Sequence, residues 1–328
     1  MTVAVRAEHT APGTAPGASI GVPASAPPVS SRDALVLAGR GRTVTISQDG
    51  PTTIIGERCN ALGYRSVMRA VRAGRFSVLA ERARAQEAAG AQVVNCNVVG
   101  PEIDEPAALV AAVKAIGAAV EVPLSLDVAT PEALIAALAV CPGRPLVNSI
   151  NGTEERLRAF LPILTAHKLP VVVMLAEDQG GTPAAPEARF RLAERLTDRL
   201  VAAGIPLNDL VFDPVLVAAP LEPEATLATL ETARLIKQQL GASVLLGASN
   251  VSFGLPERRL VDAYFIPMGI ACGANVLLTD PTIPALRRAV LAADVLAGRD
   301  EFGQSYLRAF RAGLLSDPAP AAAGQAVP

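Results

Sequence analysis

Short apolar runs, each closed by one or two polar residues, recur eight times along this chain. In order, TIIGERCN closes on Glu57, Arg58 and Asn60, and QVVNCNVV carries Asn95 and Asn97. VPLSLD closes on Asp127, PLVNS on Asn148, and PVVVMLAED on Glu177 and Asp178. DLVFD, SVLLGASN and NVLLTD then close on Asp213, Asn250 and Asp280. Runs such as PVVVML and SVLLGA lack alternation, which is how parallel strands covered on both faces read. Segments of helical periodicity separate the runs, the spacing of repeated βα units. RFSVLAERARAQEAAGA stops at Gly90, and TPEALIAALAVCPG opens on a Thr130 cap with proline at the first helical position. NGTEERLRAFLPILTAHK opens on Thr153 ahead of two acids, which suits the positive end of a helix dipole. EPEATLATLETARLIKQQLG closes on Gly241, while LPERRLVDAYFIPMGIACG carries Pro267 and is expected to kink or break there. Eight βα units in a row predict an α/β fold, a (β/α)8 TIM barrel whose active site gathers where the strands end. The alternating segment 42–50 is expected to form a short strand or hairpin closing the opposite, bottom end.

Composition sets the limits of that barrel. Residues 1–34 are mostly Ala, Pro, Ser, Thr and Gly, and read as a disordered leader. The barrel is expected over 35–314 and a loose tail over 315–328. The leader lacks the continuous apolar core of a secretory signal, and Glu8 and Asp33 count against a transit peptide. Nothing approaches a membrane-spanning length, so a cytoplasmic protein is expected. Charged residues make up 18% of the chain and the net charge is −2, which leaves no electrostatic case for nucleic acid. Cys59, Cys96, Cys141 and Cys272 show no paired spacing, and the only histidines are His9 and His167. No metal set is expected from them. Cys59 and Cys96 follow neighbouring strands, so a thiolate site at the mouth is conceivable beside the plainer reading as small buried hydrophobes.

Asp and Asn are poor strand formers, so at the end of a buried strand they mark either a turn or a site. For one position, such as Asp213 or Asp280 before proline, a turn suffices. Eight strand ends in succession point to a site. A ring of carboxylates and amides without His, Lys or Cys suits a flat heterocycle rich in donors. It suits neither a metal hydrolase nor a Schiff-base aldolase.

The segments IGERCN, NCN, LSLD, VNSIN, FDP and ASNVS, in that order, resemble the motifs of the pterin-binding, dihydropteroate synthase-like barrel family. The likeness is strongest to its methyltetrahydrofolate:corrinoid (iron–sulfur) protein methyltransferases. It covers roughly residues 52–297. By that resemblance Asp127, Asn148 and Asp213 hold the pterin, with Asn95, Asn97 and Asn250 completing its binding set. A pterin presents an amine and a ring N–H side by side, an edge that a carboxylate accepts in bidentate fashion, and Asp213 is assigned to it. Glu57, Arg58, Asn60 and Ser252 are supporting residues. Glu57 is expected to position Asn60 or the substrate, or else to pair with Arg58 or another charged residue. Asn95 stands where the family motif has aspartate, and Phe253 follows SNVS where some members have a polar residue.

The activity implied is transfer of the N5 methyl of methyltetrahydrofolate to Co(I) of a corrinoid (cobalamin), or the reverse, methylating tetrahydrofolate. The corrinoid would be carried by a separate corrinoid protein, since no D-x-H-x-x-G signature is present. Relatives imply a homodimer. No group of mid-range unperturbed pKa stands at a strand end, so Asn250 is the expected catalytic contact to N5, with the proton drawn from solvent. Two alternatives stay open: a dihydropteroate synthase-like condensation, and a non-catalytic folate-binding subunit. The absence of any basic residue between Gly247 and Ser252 speaks against the first.

Overall fold

A computed structural model describes residues 34–177, 181–222 and 224–316. Asp178, the leader through residue 33 and the tail from residue 317 lie outside the described residues. Strands β1 (Leu35–Ala38) and β2 (Thr43–Ile46) form an antiparallel hairpin with Leu35 opposite Ile46. Then come β3 (Thr53–Gly56), β4 (Val93–Asn97), β5 (Leu124–Asp127) and β6 (Leu146–Asn151). The set is completed by β7 (Val171–Met174), β8 (Leu210–Asp213), β9 (Ser243–Gly247) and β10 (Val276–Thr279). These eight strands run parallel and close in chain order, β10 pairing with both β3 and β9. Each apolar run of the sequence is therefore one stave of a (β/α)8 barrel.

Helices α1 (Arg65–Arg72) and α2 (Ser77–Ala88) connect β3 to β4, and single helices make most later crossovers. These are α3 (Glu105–Ala119), α4 (Pro131–Leu138), α5 (Glu154–His167), α6 (Pro186–Ala202), α7 (Ala225–Leu235) and α8 (Arg258–Ala271), with α9 (Pro284–Leu296) and α10 (Gln304–Arg311) after β10. The expected caps are present. Thr130 accepts from the Ala133 N–H at 3.4 Å and Thr153 from the Arg156 N–H at 3.2 Å. Helix α7 widens into a π turn over Ile236–Leu240 and stops at Gly241, whose φ of 62° is left-handed. The break expected at Pro267 does not occur, because α8 runs through it. Phe265, Ile266 and Ile270 are buried on either side of the proline, and that packing carries the helix across the missing N–H.

Side chains alternate along each strand, and the two faces have different partners. Val94, Cys96, Leu124 and Leu126 pack outward among the helices. Ile55, Val93, Leu146, Val172, Val211, Leu245 and Val276 form a separate interior layer, and the hairpin residues Leu35, Leu37, Val44 and Ile46 pack onto it. The hairpin thus plugs the bottom of the barrel, as expected, with 35–38 supplying a partner strand that the sequence had not marked as one. Gly39 makes the approach possible: a Cβ there would lie 2.4 Å from the Glu121 carbonyl oxygen. Main-chain bonds between Ala38 and Arg144 (3.0 and 2.9 Å) fasten the plug to the rim.

Leu37 is fully buried against that layer. Leu37→Ala should cost about 2–5 kcal/mol, the range for a buried leucine truncated in a packed core. Urea denaturation reads the loss; a midpoint equal to wild type would mean that the hairpin contributes nothing to barrel stability.

Candidate active site

Two residues beyond the interior apolar layer, the same strand face turns polar. Ile55 is followed by Glu57, Val93 by Asn95 and Asn97, Leu146 by Asn148, and Val211 by Asp213. Asp127 stands level with Asn97 and Asn148 in the strand register. The top of the barrel is therefore a ring of acceptors and amides over an apolar floor.

On one side of the ring, the Asn95 amide donates to Asp127 Oδ2 at 3.1 Å and its oxygen accepts from the Asn148 amide at 3.5 Å. Burial pushes the Asp127 carboxyl up; Asn95 and Asn97 act against the rise, as does the charge of Arg156. On the far side, Asp213 Oδ1 accepts the Val215 N–H at 2.9 Å. Burial raises the Asp213 carboxyl to about 6, opposed by that N–H and by Arg189.

Each carboxylate has an arginine behind it. The Arg156 guanidinium donates to the carbonyls of Val128 (2.6 Å), Ala129 and Ser149 (2.7 Å), and lies 3.8 Å over the Phe160 ring. Arg189, 2% exposed, donates to Pro183 (2.5 Å), Pro214 (3.1 Å) and Thr229 Oγ1 (2.9 Å). These bonds fix the end of β6 and the loops after β5, β7 and β8 while keeping positive charge near the acids. The third pair is direct: Arg58 Nη1 meets Asp280 Oδ2 at 2.7 Å and Thr282 Oγ1 at 3.1 Å.

Glu57 therefore does not pair with Arg58, nor does it hold Asn60. Its Oε1 accepts from the Tyr64 hydroxyl at 3.0 Å and the Ser249 hydroxyl at 2.9 Å. Burial pushes its carboxyl up to about 7, against the two hydroxyls, with Asp280 and Asp262 adding to the rise. No residue type of mid-range unperturbed pKa stands at a strand end, as the sequence reads, yet Glu57 is brought to that range by its surroundings. Burial rather than residue type does so. Gly56 shapes the approach to Glu57: a Cβ there would meet the Gln86 amide oxygen at 2.5 Å, and that oxygen accepts the Arg58 N–H at 2.8 Å.

Asn250 lies exposed in the turn after β9, its side-chain amide without a partner among the described residues. Arg258 steadies that turn, donating to the Ser249 carbonyl at 2.6 Å and Ser252 Oγ at 3.1 Å, and stacks 5.6 Å from the Phe253 ring. Ser252 is fully buried, its hydroxyl oxygen held by Arg258. Asn60 spends its side-chain oxygen on the Leu62 and Gly63 N–H groups (2.9 and 3.1 Å), so it shapes its own turn. Asn97 likewise accepts the Val99 N–H at 3.0 Å. Glu177 leaves the ring and pairs with Arg195. Cys59 and Cys96 are buried, with thiols pushed up by burial, Cys59 to about 12, so neither is a thiolate at the mouth. Among the described residues no three His, Cys, Asp or Glu side chains gather as a cation site.

The family model for pterin binding enzymes matches residues 56–280, the stretch that carries this ring. The chain belongs to the pterin-binding enzyme family. It is 31% identical over 265 residues to a methylcorrinoid:tetrahydrofolate methyltransferase of Eubacterium limosum, covering 79% of this chain and 96% of that one. It is 25% identical over 236 residues to methionine synthase of Mycobacterium tuberculosis, which is 68% of this chain but 20% of that much longer protein. Dihydropteroate synthase of Thermus thermophilus superposes with a TM-score of 0.59 at 22% identity, covering 80% of this chain and 100% of that one. The Yersinia pestis enzyme does so with a TM-score of 0.58 at 16% identity. Those two likenesses speak for the fold.

Tyr64, Ser249, Arg156 and Arg189 escaped sequence reading. Ser249 sits inside ASNVS, next to Asn250. The arginines did leave a trace: both occupy the first turn of a helix, where the dipole favours acids. A cation placed against the dipole signals another duty.

Asn95→Asp should raise the Asp127 carboxyl further, since the variant removes a donor and sets two carboxylates face to face. Carbon-detected NMR titration of the Asp127 carboxyl reads this. An unchanged or lower titration point would mean that the Asn95 contact does not govern Asp127.

Proposed function

We propose that this enzyme moves a methyl group between N5 of tetrahydrofolate and the cobalt of a corrinoid carried by a separate protein, and that it works as a cytoplasmic homodimer. One observation above all supports the reading. Asp127, Asn148 and Asp213 share a barrel rim with an unpartnered Asn250 amide and a Glu57 carboxyl near neutrality, in a chain akin to a methylcorrinoid:tetrahydrofolate methyltransferase.

Asp213 offers Oδ2 and the free lone pair of Oδ1 to the amine and ring N–H of the pterin. With its carboxyl at about 6 it is mostly ionised at neutral pH, as that role requires. Asp127 and Asn148 meet the remaining ring groups. A ligand lacking these groups would leave buried partners unpaired, which is how such a site discriminates.

When the methyl leaves N5 for Co(I), the C–N bond breaks as the Co–C bond forms, and the nitrogen must gain a proton. In the other direction N5 attacks the methyl and must lose one. Asn250 holds N5 by a hydrogen bond that strengthens as charge develops there. Glu57, bonded to the hydroxyl next to Asn250 in sequence, carries the proton in its acid form and accepts it in its ionised form. The Tyr64 and Ser249 hydroxyls hold one oxygen of Glu57 and leave the other to the substrate.

Asn250→Ala should slow single-turnover methyl transfer with cob(I)alamin by about a hundredfold or more, with folate affinity falling far less. Asp213→Asn should do the reverse, weakening folate binding by about 2–4 kcal/mol. Calorimetry and stopped-flow absorbance separate the two. Folate binding without any Co(I) consumption in the wild type would favour a non-catalytic binding subunit.

With Glu57 as proton donor, the rate of transfer from methyltetrahydrofolate should fall as pH rises through about 7, and the reverse rate should rise over the same range. Glu57→Gln should flatten both limbs. A variant that keeps the wild-type pH profile would remove Glu57 from proton transfer.

A further inference from the structure

The turn that leads away from Glu57 runs into a basic helix. After Asn60 and Leu62 comes α1, with Arg65, Arg69 and Arg72 on it and Arg75 just beyond. All four arginines are exposed, and none forms an ion pair among the described residues. Arg72 donates to the Pro101 carbonyl at 3.1 Å, next in sequence to the exposed Glu102, and among the described residues Arg65 and Arg69 have no hydrogen-bond or ion-pair partner for their guanidiniums. Helix α1 contains no acid. Between Arg65 and Arg69 lies an open groove of about 540 Å³ whose other walls are Ala61, Leu62 and Met68. Leu62 is 64% exposed there.

Ordinary surface chemistry explains only part of this. Arg69 and Arg72 lie in the last turn, where cations suit the helix dipole. Arg65 lies at the first position, where the dipole opposes it, and it repels Arg69 one turn on. An exposed leucine framed by unpaired guanidiniums is the lining expected for a ligand that is apolar at one end and anionic at the other.

The ligand follows from the folate reading above, on which this step rests. In a pterin, the amine and N3–H edge lies opposite the N5–C6 edge. With the first on Asp213, and N5 at Asn250 and Glu57, the substituent on C6 leaves past Glu57 and Tyr64. That exit crosses the 60–64 turn toward α1. We propose that the α1 groove is the binding site for the p-aminobenzoyl-γ-glutamyl tail, the ring resting on Leu62 and Met68 and the tail carboxylates on Arg65 and Arg69. The physiological substrate is then a poly-γ-glutamyl folate, and each added glutamate brings another carboxylate toward Arg72 and Arg75.

Calorimetry with three probes tests this: 6-methyltetrahydropterin, monoglutamyl tetrahydrofolate and pentaglutamyl tetrahydrofolate, each with wild type and with the Arg65→Ala/Arg69→Ala double variant. In the wild type, affinity should rise with tail length, about tenfold or more from tailless to pentaglutamyl ligand at low salt, and the gain should shrink with added salt. The double variant should bind the tailless pterin as wild type does and lose most of the gain. A wild type indifferent to tail length would overturn the assignment, as would a double variant that keeps the full gain. If that variant keeps the gain but transfers methyl more slowly to a corrinoid protein than to free cob(I)alamin, the arginines serve protein docking instead. Failure of all three probes to bind wild type would sink the folate reading itself, a result distinct from binding without length dependence.

Discussion

In a closed parallel barrel, every strand ends at the same rim and side chains alternate between lumen and helices with a period of two. Once Val93 and Val211 face the lumen, Asn95 and Asp213 must face it too, one layer higher. The apolar layer beneath is what makes those polar groups unusual. It keeps water from one side of them, so carboxyls that would be fully ionised in solvent sit close to their titration points. Site composition and site electrostatics thus have a common origin in strand parity.

The cost of placing acids there is offset by arginines reached from the helices. Arg156 and Arg189 donate mainly to loop carbonyls, and lend the carboxylates a field. That arrangement leaves carboxylate lone pairs open for a ligand, whereas a direct ion pair such as Arg58 with Asp280 consumes them. The difference explains why Asp280, at a strand end like the others, acts as a clasp between the first and last staves. Its second oxygen is taken by the Thr282 N–H and hydroxyl at 2.9 and 2.6 Å.

The barrel was legible in sequence because its signal is repetitive: eight apolar runs, threonine caps at 130 and 153, and a glycine stop at 241. That polar residues follow the apolar runs was legible for the same reason. What sequence could not show was which polar groups are consumed locally. Asn60, Asn97 and Asp280 follow strands just as Asn95 does, yet their oxygens close turns, and Asp213 divides its carboxylate, closing a turn with Oδ1 and leaving Oδ2 free of any such bond. Nor could it show the Glu57 pairing with Tyr64 and Ser249, which joins residues 192 positions apart and depends on β3, β9 and β10 lying side by side. Nor could it decide between a kink and a break at Pro267, where α8 is continuous because local propensity yields to packing.

The bottom hairpin has a consequence for how the molecule assembles. Leu35, Leu37, Val44 and Ile46 pack on a layer drawn from every stave except β5, so their docking surface exists only once the ring has closed. Yet the hairpin precedes all eight staves in the chain. It behaves as a tethered ligand for the closed state: it gains nothing from a half-built barrel and adds its full binding energy to a complete one. Closure and docking then become a single cooperative event of high contact order, set by the last stave. The sealed floor beneath the polar ring is therefore absent from any chain whose barrel has not closed.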